Sequence, residues 1–305
     1  FFNRLKKGYL KWINPFNGKA SNIAFQNTRV IVFWSKNPSP IIPYLPILDE
    51  KNIGYYFLFT LNDYEKENLE PNLPILSKRI DTFINLSETI GKERVLWRFD
   101  PLILSENVGI DTLIKRIKNI GDKIHPYTEK LIFSFVQISR YKKVQKKLLQ
   151  ETSIFNNENL FRAEFSDKQK YEFAAQLKNL TNEWGIQAAS CAEKMDLTTY
   201  GIAHNKCIDD ELMRRLFNHD KKLQAFLDTG NAKPNLQTDL FHTNTKQNKP
   251  LKDKGQRKEC GCIPSKDIGQ YNTCMHLCAY CYANANKQST LRNFRHHDPG
   301  KETIY

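Results

Sequence analysis

The sequence lacks any apolar run near the roughly 18 residues that a membrane-spanning helix requires. It also lacks coiled-coil heptads and any repeat of fixed period. The chain of 305 residues is still long enough to bury a sizeable core, as one large α/β domain or two smaller ones. We therefore expect a soluble protein without a membrane partner.

Cysteine is absent before Cys191, and all seven cysteines lie between Cys191 and Cys281. An odd number of unevenly spaced cysteines is a poor basis for a secreted disulfide framework and favours metal ligation in a reducing compartment. The sequence therefore predicts a cytoplasmic, metal-binding protein.

Acidic residues are in the minority, because 33 Asp and Glu stand against 46 Lys and Arg and the net charge is +13. Such a charge favours a polyanionic partner such as nucleic acid. A second interpretation stays open, because many lysines stand singly on predicted helix faces. A composition rich in Lys, Asn and Ile can also reflect the base composition of a genome.

Short apolar runs recur along the chain and are separated by segments with helical periodicity. The predicted strands cover residues 29–34, 55–59, 94–97, 130–136 and 185–190. The predicted helices cover residues 41–52, 75–91, 110–120 and 167–183. Strands that alternate with helices in this way predict βα units around a mostly parallel sheet.

Polar residues follow the first three predicted strands. They are Lys36 and Asn37, Thr60 and Asn62, and Arg98 and Asp100. The carboxyl ends of parallel strands are where α/β proteins bind their ligands. We expect these side chains to lie at one ligand-binding edge of the sheet.

The chain divides into three predicted regions. Residues 1–216 form the βα body, residues 217–258 form a loop-rich insertion, and residues 259–305 form a cysteine-rich segment. Within the body, residues 140–166 are rich in Lys, Gln and Asn and are predicted to form a surface excursion or lid.

Cys274, Cys278 and Cys281, which we name the cysteine loop, are spaced C-x3-C-x2-C, so that one short loop can surround a single inorganic centre. Four thiolates close a structural zinc site or saturate a [4Fe–4S] cluster, whereas three leave one iron free to bind another molecule. Two alternatives stay open. One is a zinc site with His276 as an awkwardly placed fourth ligand, and the other is a plain ferredoxin-like cluster.

Cys191, Cys207, Cys260 and Cys262, which we name the four-cysteine group, can supply a second, fully ligated [4Fe–4S] cluster or a zinc site. They come from three regions of the sequence, so tertiary folding would have to assemble the site. The alternative is that Cys191 is a small buried apolar residue and Cys207 an incidental thiol.

The spacing of the cysteine loop, Tyr280 before its third cysteine and the Tyr-Ala-Asn that follows resemble the cluster loop of radical S-adenosylmethionine enzymes. The strand ends, among them Ser35–Pro38 and Trp97–Ile103, resemble the barrel of the spore photoproduct lyase-like branch of that superfamily. Over nearly its whole length the chain is similar to the bacterial DUF1848 family, which carries no settled substrate.

The resemblance implies a partial or full TIM-like βα barrel with a C-terminal iron–sulfur segment. Its [4Fe–4S] cluster would bind S-adenosylmethionine and, with an electron from ferredoxin or flavodoxin, form a 5′-deoxyadenosyl radical that abstracts hydrogen from an unidentified substrate, nucleic acid being one candidate. Ordinary members carry the cysteine loop after the first strand, so this barrel would be circularly permuted, with residues 265–271 as its closing strand. The competing class is a non-catalytic iron–sulfur or zinc protein that binds nucleic acid.

The resemblance also implies roles for individual residues. Lys36 would pair with the carboxylate of S-adenosylmethionine as a point charge. Thr60 and Asn62 would hydrogen-bond its ribose or methionyl groups. Tyr280 and Tyr282 would pack near the adenine or belong to the core.

Other strand-end residues have less specific expectations. Asn37 is a further cofactor-binding candidate beside Lys36. Arg98 and Asp100 have either a cofactor or substrate role or form a structural ion pair. Glu70 is expected only to begin the helix that follows Pro71, and Cys191 has hydrogen-atom donation as a further role implied by the lyase-like enzymes.

Overall fold

A six-stranded parallel sheet is the centre of the protein, for which a computed structural model describes residues 1–230 and 251–305. The described strands are β1 (Tyr9–Ile13), β2 (Ala20–Ala24), β3 (Val30–Ser35), β4 (Gly54–Thr60), β5 (Val95–Leu102), β6 (Lys130–Phe135), β7 (Gln187–Ser190) and β8 (Ile202–His204). Strands β3 to β8 pair in the order of the sequence, each parallel to the next. The predicted mixed α/β architecture with a mostly parallel sheet is confirmed.

Helices connect these strands. The described α-helices are α1 (Phe2–Lys7), α2 (Pro46–Glu50), α3 (Leu76–Ile90), α4 (Ile110–Ile124), α5 (Lys142–Glu151), α6 (Asp167–Trp184), α7 (Asp210–Leu216), α8 (Lys221–Thr229) and α9 (Lys287–Arg295). The predicted helix at 41–52 is instead a 3-10 turn followed by the short α2, because Pro43 and Pro46 cannot donate backbone hydrogen bonds. No described helix is long and apolar enough to cross a membrane.

Both faces of the sheet are buried. On one face, Phe57 and Trp97 pack with α3, α4 and α6. On the other face, Leu58 and Leu96 pack with α7, α8 and Cys262. Since neighbouring strand residues point to opposite faces, the continuous apolar runs serve both clusters. The four-cysteine group therefore belongs partly to the core of the second face.

The N-terminal strands β1 and β2 form a separate antiparallel ribbon. Residues 265–271, expected to close a barrel, contain no strand. They lie beside β1, where Trp12 Nε1 donates to the Gly269 carbonyl at 3.1 Å. The Asp267 carboxylate accepts the Gly269 N–H at 2.7 Å, and this local turn competes with strand pairing.

Helix α5 lies in residues 140–166, where a surface excursion was expected. Its buried residues Val144, Lys147 and Leu148 recur three and four positions apart, so they share one face of the helix. Exposed lysines on the rest of the helix hide this apolar face in the composition. The stretch expected to form a surface excursion or lid therefore contains a regular helix with a buried face.

Helix α8 lies in the predicted loop-rich insertion at 217–258. Leu223 and Leu227 are buried in the second face of the sheet, so the start of this region belongs to the packed body. Residues 231–250 of the predicted insertion lie outside the described residues.

Candidate functional site

The polar residues at the carboxyl ends of neighbouring strands lie together. Asn62, after β4, donates from Nδ2 to the Asp100 carbonyl of β5 at 3.0 Å, and its Oδ1 accepts the Asp100 N–H at 2.8 Å. The same Nδ2 lies 3.0 Å from Glu70 Oε1, which binds the ammonium of Lys36 at 2.7 Å. The expectation that these strand ends share one edge of the sheet is met for Lys36, Asn62 and Asp100.

Glu70 joins the cysteine loop to this edge. Its buried carboxylate accepts hydrogen bonds from Lys36 and from the Tyr280 hydroxyl, and that hydroxyl lies 2.8 Å from Lys36 Nζ. Burial is the largest single effect on the pKa of Glu70 and raises it, but the charges of Lys36 and Arg79 and the hydrogen bonds from Lys36 and Tyr280 together lower that pKa below its usual value. Burial raises the pKa of Tyr280 well above its usual value, so the phenol keeps the proton that it donates.

Arg98 and Asp100 form an ion pair, which is one of the two roles left open for them, and both are in contact with a further group. Ser134, at the end of β6, donates its hydroxyl to Asp100. Arg98 Nη1 lies 3.5 Å from Cys207 Sγ. Burial is the largest single effect on the pKa of Asp100 and raises it, but Arg98, the Ser134 hydrogen bond and the charge of Lys36 together hold that pKa below its usual value. Asp100 thus connects the Lys36 side of the site with the four-cysteine group.

Two further predicted residues have other surroundings. Thr60 is buried at the end of β4, in register with Arg98 of β5. Asn37 stabilises its own turn, because its N–H donates to Ser35 Oγ at 3.2 Å and its Oδ1 accepts the Ser39 N–H at 3.4 Å. The structure therefore assigns Asn37 a local contact rather than one with the other strand ends.

The cysteine loop is held mainly through its backbone. Cys274 is exposed, Cys278 is buried and the third thiol is partly exposed. The Ala279 N–H donates to the Leu69 carbonyl at 2.9 Å, and Asn284 Nδ2 donates to the Cys274 carbonyl at 2.7 Å. Burial raises the pKa of Cys278 to about 12. These backbone contacts leave the thiols available as ligands.

Lys147 is a residue of this site that the sequence did not reveal. Its ammonium donates to the carbonyl of Cys278 at 2.9 Å and to that of Cys281 at 3.2 Å, and the residue is only 5% exposed. A buried cation needs such partners to offset its lost hydration. Lys147 therefore fixes the second half of the cysteine loop and adds a positive charge beneath it.

The four-cysteine group is assembled from three segments, as expected. Cys191 Sγ and Cys207 Sγ are 3.6 Å apart, and Cys262 Sγ accepts the Cys207 N–H at 3.1 Å. The hydrogen bond between the Cys191 and Cys207 thiols is the first cause that raises the pKa of Cys207 to about 12, and the contact with Cys207 is the first cause that raises the pKa of Cys262. Cys207, Cys260 and Cys262 are buried, and Cys191 is partly exposed.

The cysteine thiols are suitable ligands for soft metals, but their positions in the described residues do not form a complete metal site. Across residues 1–230 and 251–305, no three Cys, His, Asp or Glu side chains are arranged so that they could hold a metal ion. All seven cysteines are free thiols, and grouped thiols are ligands for zinc and iron–sulfur centres. Two buried polar atoms of the same edge, Glu70 Oε2 and Arg98 Nε, have no hydrogen-bond partner. The thiols are therefore of the ligand type that such centres use, although their described positions do not form a three-ligand site.

A family model described as "Domain of unknown function (DUF1848)" matches residues 1–283 of the chain. The match covers the sheet, the strand-end residues and all seven cysteines. No curated protein matches the chain.

Two solved structures are similar at low identity. A crystal structure of a putative alpha-L-fucosidase from Bacteroides thetaiotaomicron is 13% identical, covers 62% of this chain and 76% of its own, and has a TM-score of 0.29. The Bacillus cereus enoyl-acyl carrier protein reductase with NADP+ and indole naphthyridinone is 12% identical, covers 58% and 79%, and has a TM-score of 0.24. Scores this low carry no argument about this chain.

Proposed function

The chain belongs to the DUF1848 family, whose description assigns no activity, and we propose that it is a radical S-adenosylmethionine enzyme acting on an unidentified substrate. The cysteine loop would hold a [4Fe–4S] cluster through Cys274, Cys278 and Cys281. When bound, that cluster would supply the electron for reductive cleavage of S-adenosylmethionine to methionine and a 5′-deoxyadenosyl radical that abstracts hydrogen from the substrate.

The observation that carries the proposal is the contact of Tyr280 with Glu70 and Lys36, one residue before Cys281. It holds a three-thiol loop against the polar edge of a parallel sheet, where α/β proteins bind ligands. A Lys ammonium has three N–H donors, and Glu70 and Tyr280 accept two of them. The third is available to a carboxylate such as that of S-adenosylmethionine.

Neighbouring residues would orient the cofactor. Asn62 is fully buried and fixed on both sides, so its position is set before any ligand arrives. Arg98 Nε, a buried donor without a hydrogen-bond partner, and Glu70 Oε2, whose described contact is an ion pair with Arg79 at 3.6 Å, would supply a donor and an acceptor at the same edge. Thr60 remains a candidate for the ribose or methionyl groups.

The proposal implies an incomplete, circularly permuted βα barrel, and the parallel sheet is the observation in its favour. Six consecutive parallel strands carry α3, α4 and α6 on one face, which is the arrangement of βα units in a barrel. The contact between Trp12 and Gly269 brings the cysteine-rich segment beside the N-terminal ribbon, as a permutation requires. The four-cysteine group would bind a second [4Fe–4S] cluster or zinc, and a cytoplasmic ferredoxin or flavodoxin would supply electrons.

The test is anaerobic reconstitution followed by iron and sulfide analysis and incubation with S-adenosylmethionine and dithionite. We expect 5′-deoxyadenosine from the unchanged protein and none after Cys274, Cys278 and Cys281 are replaced by Ala. His276→Ala is the matched control within the loop, and it should keep its iron and its activity. A colourless protein with stoichiometric zinc that His276→Ala releases would contradict the proposal.

The second candidate is a non-catalytic metal protein that binds nucleic acid. The net charge of +13 favours it. Salt-dependent binding of nucleic acid by a reconstituted protein that forms no 5′-deoxyadenosine would select this function.

A further inference from the structure

Four aromatic rings, which we name the aromatic row, lie side by side next to the cysteine loop. Phe16 and Tyr271 have ring centroids 6.0 Å apart, Tyr271 and Tyr282 are 6.2 Å apart, and Tyr282 and Tyr141 stack at 5.7 Å with an angle of 23°. Phe16 is 85% exposed, Tyr282 57% and Tyr141 39%. Rings that are this exposed contribute little to the hydrophobic core. One of them, Tyr282, directly follows Cys281 of the cysteine loop.

Cationic side chains lie along the row. Helix α5 starts directly after Tyr141, has no acidic residue in its first turn, and exposes Lys142, Lys143 and Lys146 to solvent. Lys143 lines a cavity of about 230 Å³ together with Tyr271 and Tyr282. The surface therefore combines exposed π-faces with a series of ammonium groups.

One acidic group lies near the row, but it is engaged with the backbone. The charge of Asp267 contributes to raising the pKa values of Tyr271 and Tyr282, after the larger effect of burial. Its carboxylate accepts the Gly269 N–H at 2.7 Å. The positive charge of α5 therefore faces the solvent beside the rings without a matching acidic run.

We propose that the aromatic row and the first turns of α5 bind single-stranded nucleic acid. Unpaired bases stack on successive aromatic side chains, and lysines neutralise the phosphates between them. Paired bases in a duplex present no free π-faces to such rings, so the row fits a single strand. This inference rests on the proposed function and names its substrate class, because Tyr282 would bring a bound nucleotide next to Cys281.

The binding test uses the anaerobically reconstituted full chain and fluorescently labelled 20-mers of deoxythymidine and uridine, with a 20-base-pair duplex for comparison. We expect Tyr141→Ala and Tyr282→Ala each to weaken binding of a single strand at least fivefold, since each removes a stacking face. Tyr171→Ala is the matched control, because Tyr171, on α6, is a 43% exposed tyrosine whose ring lies 6.1 Å from that of Tyr200 and outside the aromatic row. Its affinity should equal that of the unchanged protein.

The charge test compares the salt dependence of binding. Lys142→Gln combined with Lys143→Gln should reduce the slope of log affinity against log salt by about 1.4, at about 0.7 per phosphate contact on a single strand. Equal affinities of Tyr282→Ala, Tyr141→Ala and the unchanged protein, or tighter binding of the duplex, would overturn the inference. Iron content and circular dichroism of each variant identify any that failed to fold.

The two proposals fail separately. If the unchanged protein forms 5′-deoxyadenosine but binds neither 20-mer, the aromatic row is not a nucleic-acid surface and the enzyme remains. If the protein binds a single strand through the aromatic row but forms no 5′-deoxyadenosine, the proposed nucleic-acid surface is supported and the proposed enzyme activity is contradicted. The deoxythymidine and uridine arms then decide between DNA and RNA.

Discussion

The cysteine loop and the four-cysteine group contain the same ligand atoms but are built in opposite ways. The loop takes its thiols from one short segment, and Lys147 and Asn284 hold its backbone while Cys274 stays exposed. The four-cysteine group takes its thiols from three segments and buries them against the sheet, with Cys191 and Cys207 3.6 Å apart.

Under the proposed function, this difference separates two tasks that thiol sites perform in metal-binding proteins. A three-thiol site held from behind keeps a face open, so that a bound centre can take an external ligand. A four-thiol site inside a core is closed, and any centre there also joins segments that are distant in sequence. We therefore expect the loop to serve chemistry and the four-cysteine group to serve stability or electron transfer.

The largest expected effect is on the free energy of unfolding, and it tests whether the four-cysteine group stabilises the fold more than the cysteine loop does. Cys207→Ser should lose the centre of the four-cysteine group and lower the free energy of unfolding by about 3–5 kcal/mol. For a chain of 305 residues, that corresponds to a fall in Tm of about 5–8 °C, measured by thermal unfolding of reconstituted protein. Cys274→Ser is the matched change in the exposed loop and should cost less than about 1 kcal/mol. Equal losses for both variants would remove the distinction.

The second prediction concerns the way the loop is held. Lys147→Met removes the donor of the Cys281 carbonyl and one of the two donors of the Cys278 carbonyl, which still accepts the Cys281 N–H at 3.1 Å. The lost bonds should cost about 1–3 kcal/mol, the range for a buried group left without its partner. We expect the iron of the cysteine loop to be lost to a chelator while the four-cysteine group keeps its metal. Lys146→Met, on the exposed side of the same helix, is the control and should retain both. If Lys147→Met retains the iron of the cysteine loop, the loop keeps its metal-binding conformation without the contact from α5.

Much of the fold follows from local patterns. Phe57–Phe59 and Val95–Trp97 are continuous apolar runs, and such runs predict buried parallel strands. The polar residues that follow the parallel strands, Lys36 after β3 and Asn62 after β4 among others, are then expected at one edge of the sheet. The loop spacing is local as well, so its three thiols stand out in the sequence.

The rest depends on contacts that no local pattern encodes. Tyr280 and Glu70 are 210 positions apart, and Lys147 reaches carbonyl groups that carry no side-chain signal. Helix α5 escaped prediction because its lysines mask Val144 and Leu148. The expected closing strand at 265–271 failed because Asp267 turns the chain locally.

A third prediction examines the contact between the loop and the sheet. Glu70→Gln keeps the shape of the side chain but removes the charge that faces Lys36 and Arg79, so it should cost about 2 kcal/mol in urea unfolding. The rate of 5′-deoxyadenosine formation should fall about tenfold, equivalent to about 1.4 kcal/mol. Glu65→Gln is the control, because Glu65 also contacts Arg79 but is 46% exposed, and it should change stability by less than about 0.5 kcal/mol. If Glu70→Gln and Glu65→Gln change stability and rate equally, Glu70 does not connect the cysteine loop to the sheet.

The smallest expected effect asks whether the two cysteine groups act as one site. Asp100 lies between them, bonded to Asn62 on the loop side and paired with Arg98, which contacts Cys207. Ser134→Ala removes one donor from the Asp100 carboxylate while Arg98 still pairs with it, so the cost should be about 1 kcal/mol. Ser87→Ala is the control for a neutral bond, because Ser87 donates to the Tyr127 carbonyl at 2.8 Å, and it should cost about half as much. If Ser134→Ala leaves both metal contents unchanged, each group is held by its own contacts. If the metal contents of the cysteine loop and the four-cysteine group fall together, the hydrogen-bonded residues at the strand ends hold both groups as one structural unit. The two groups would then differ only in their exposure to solvent.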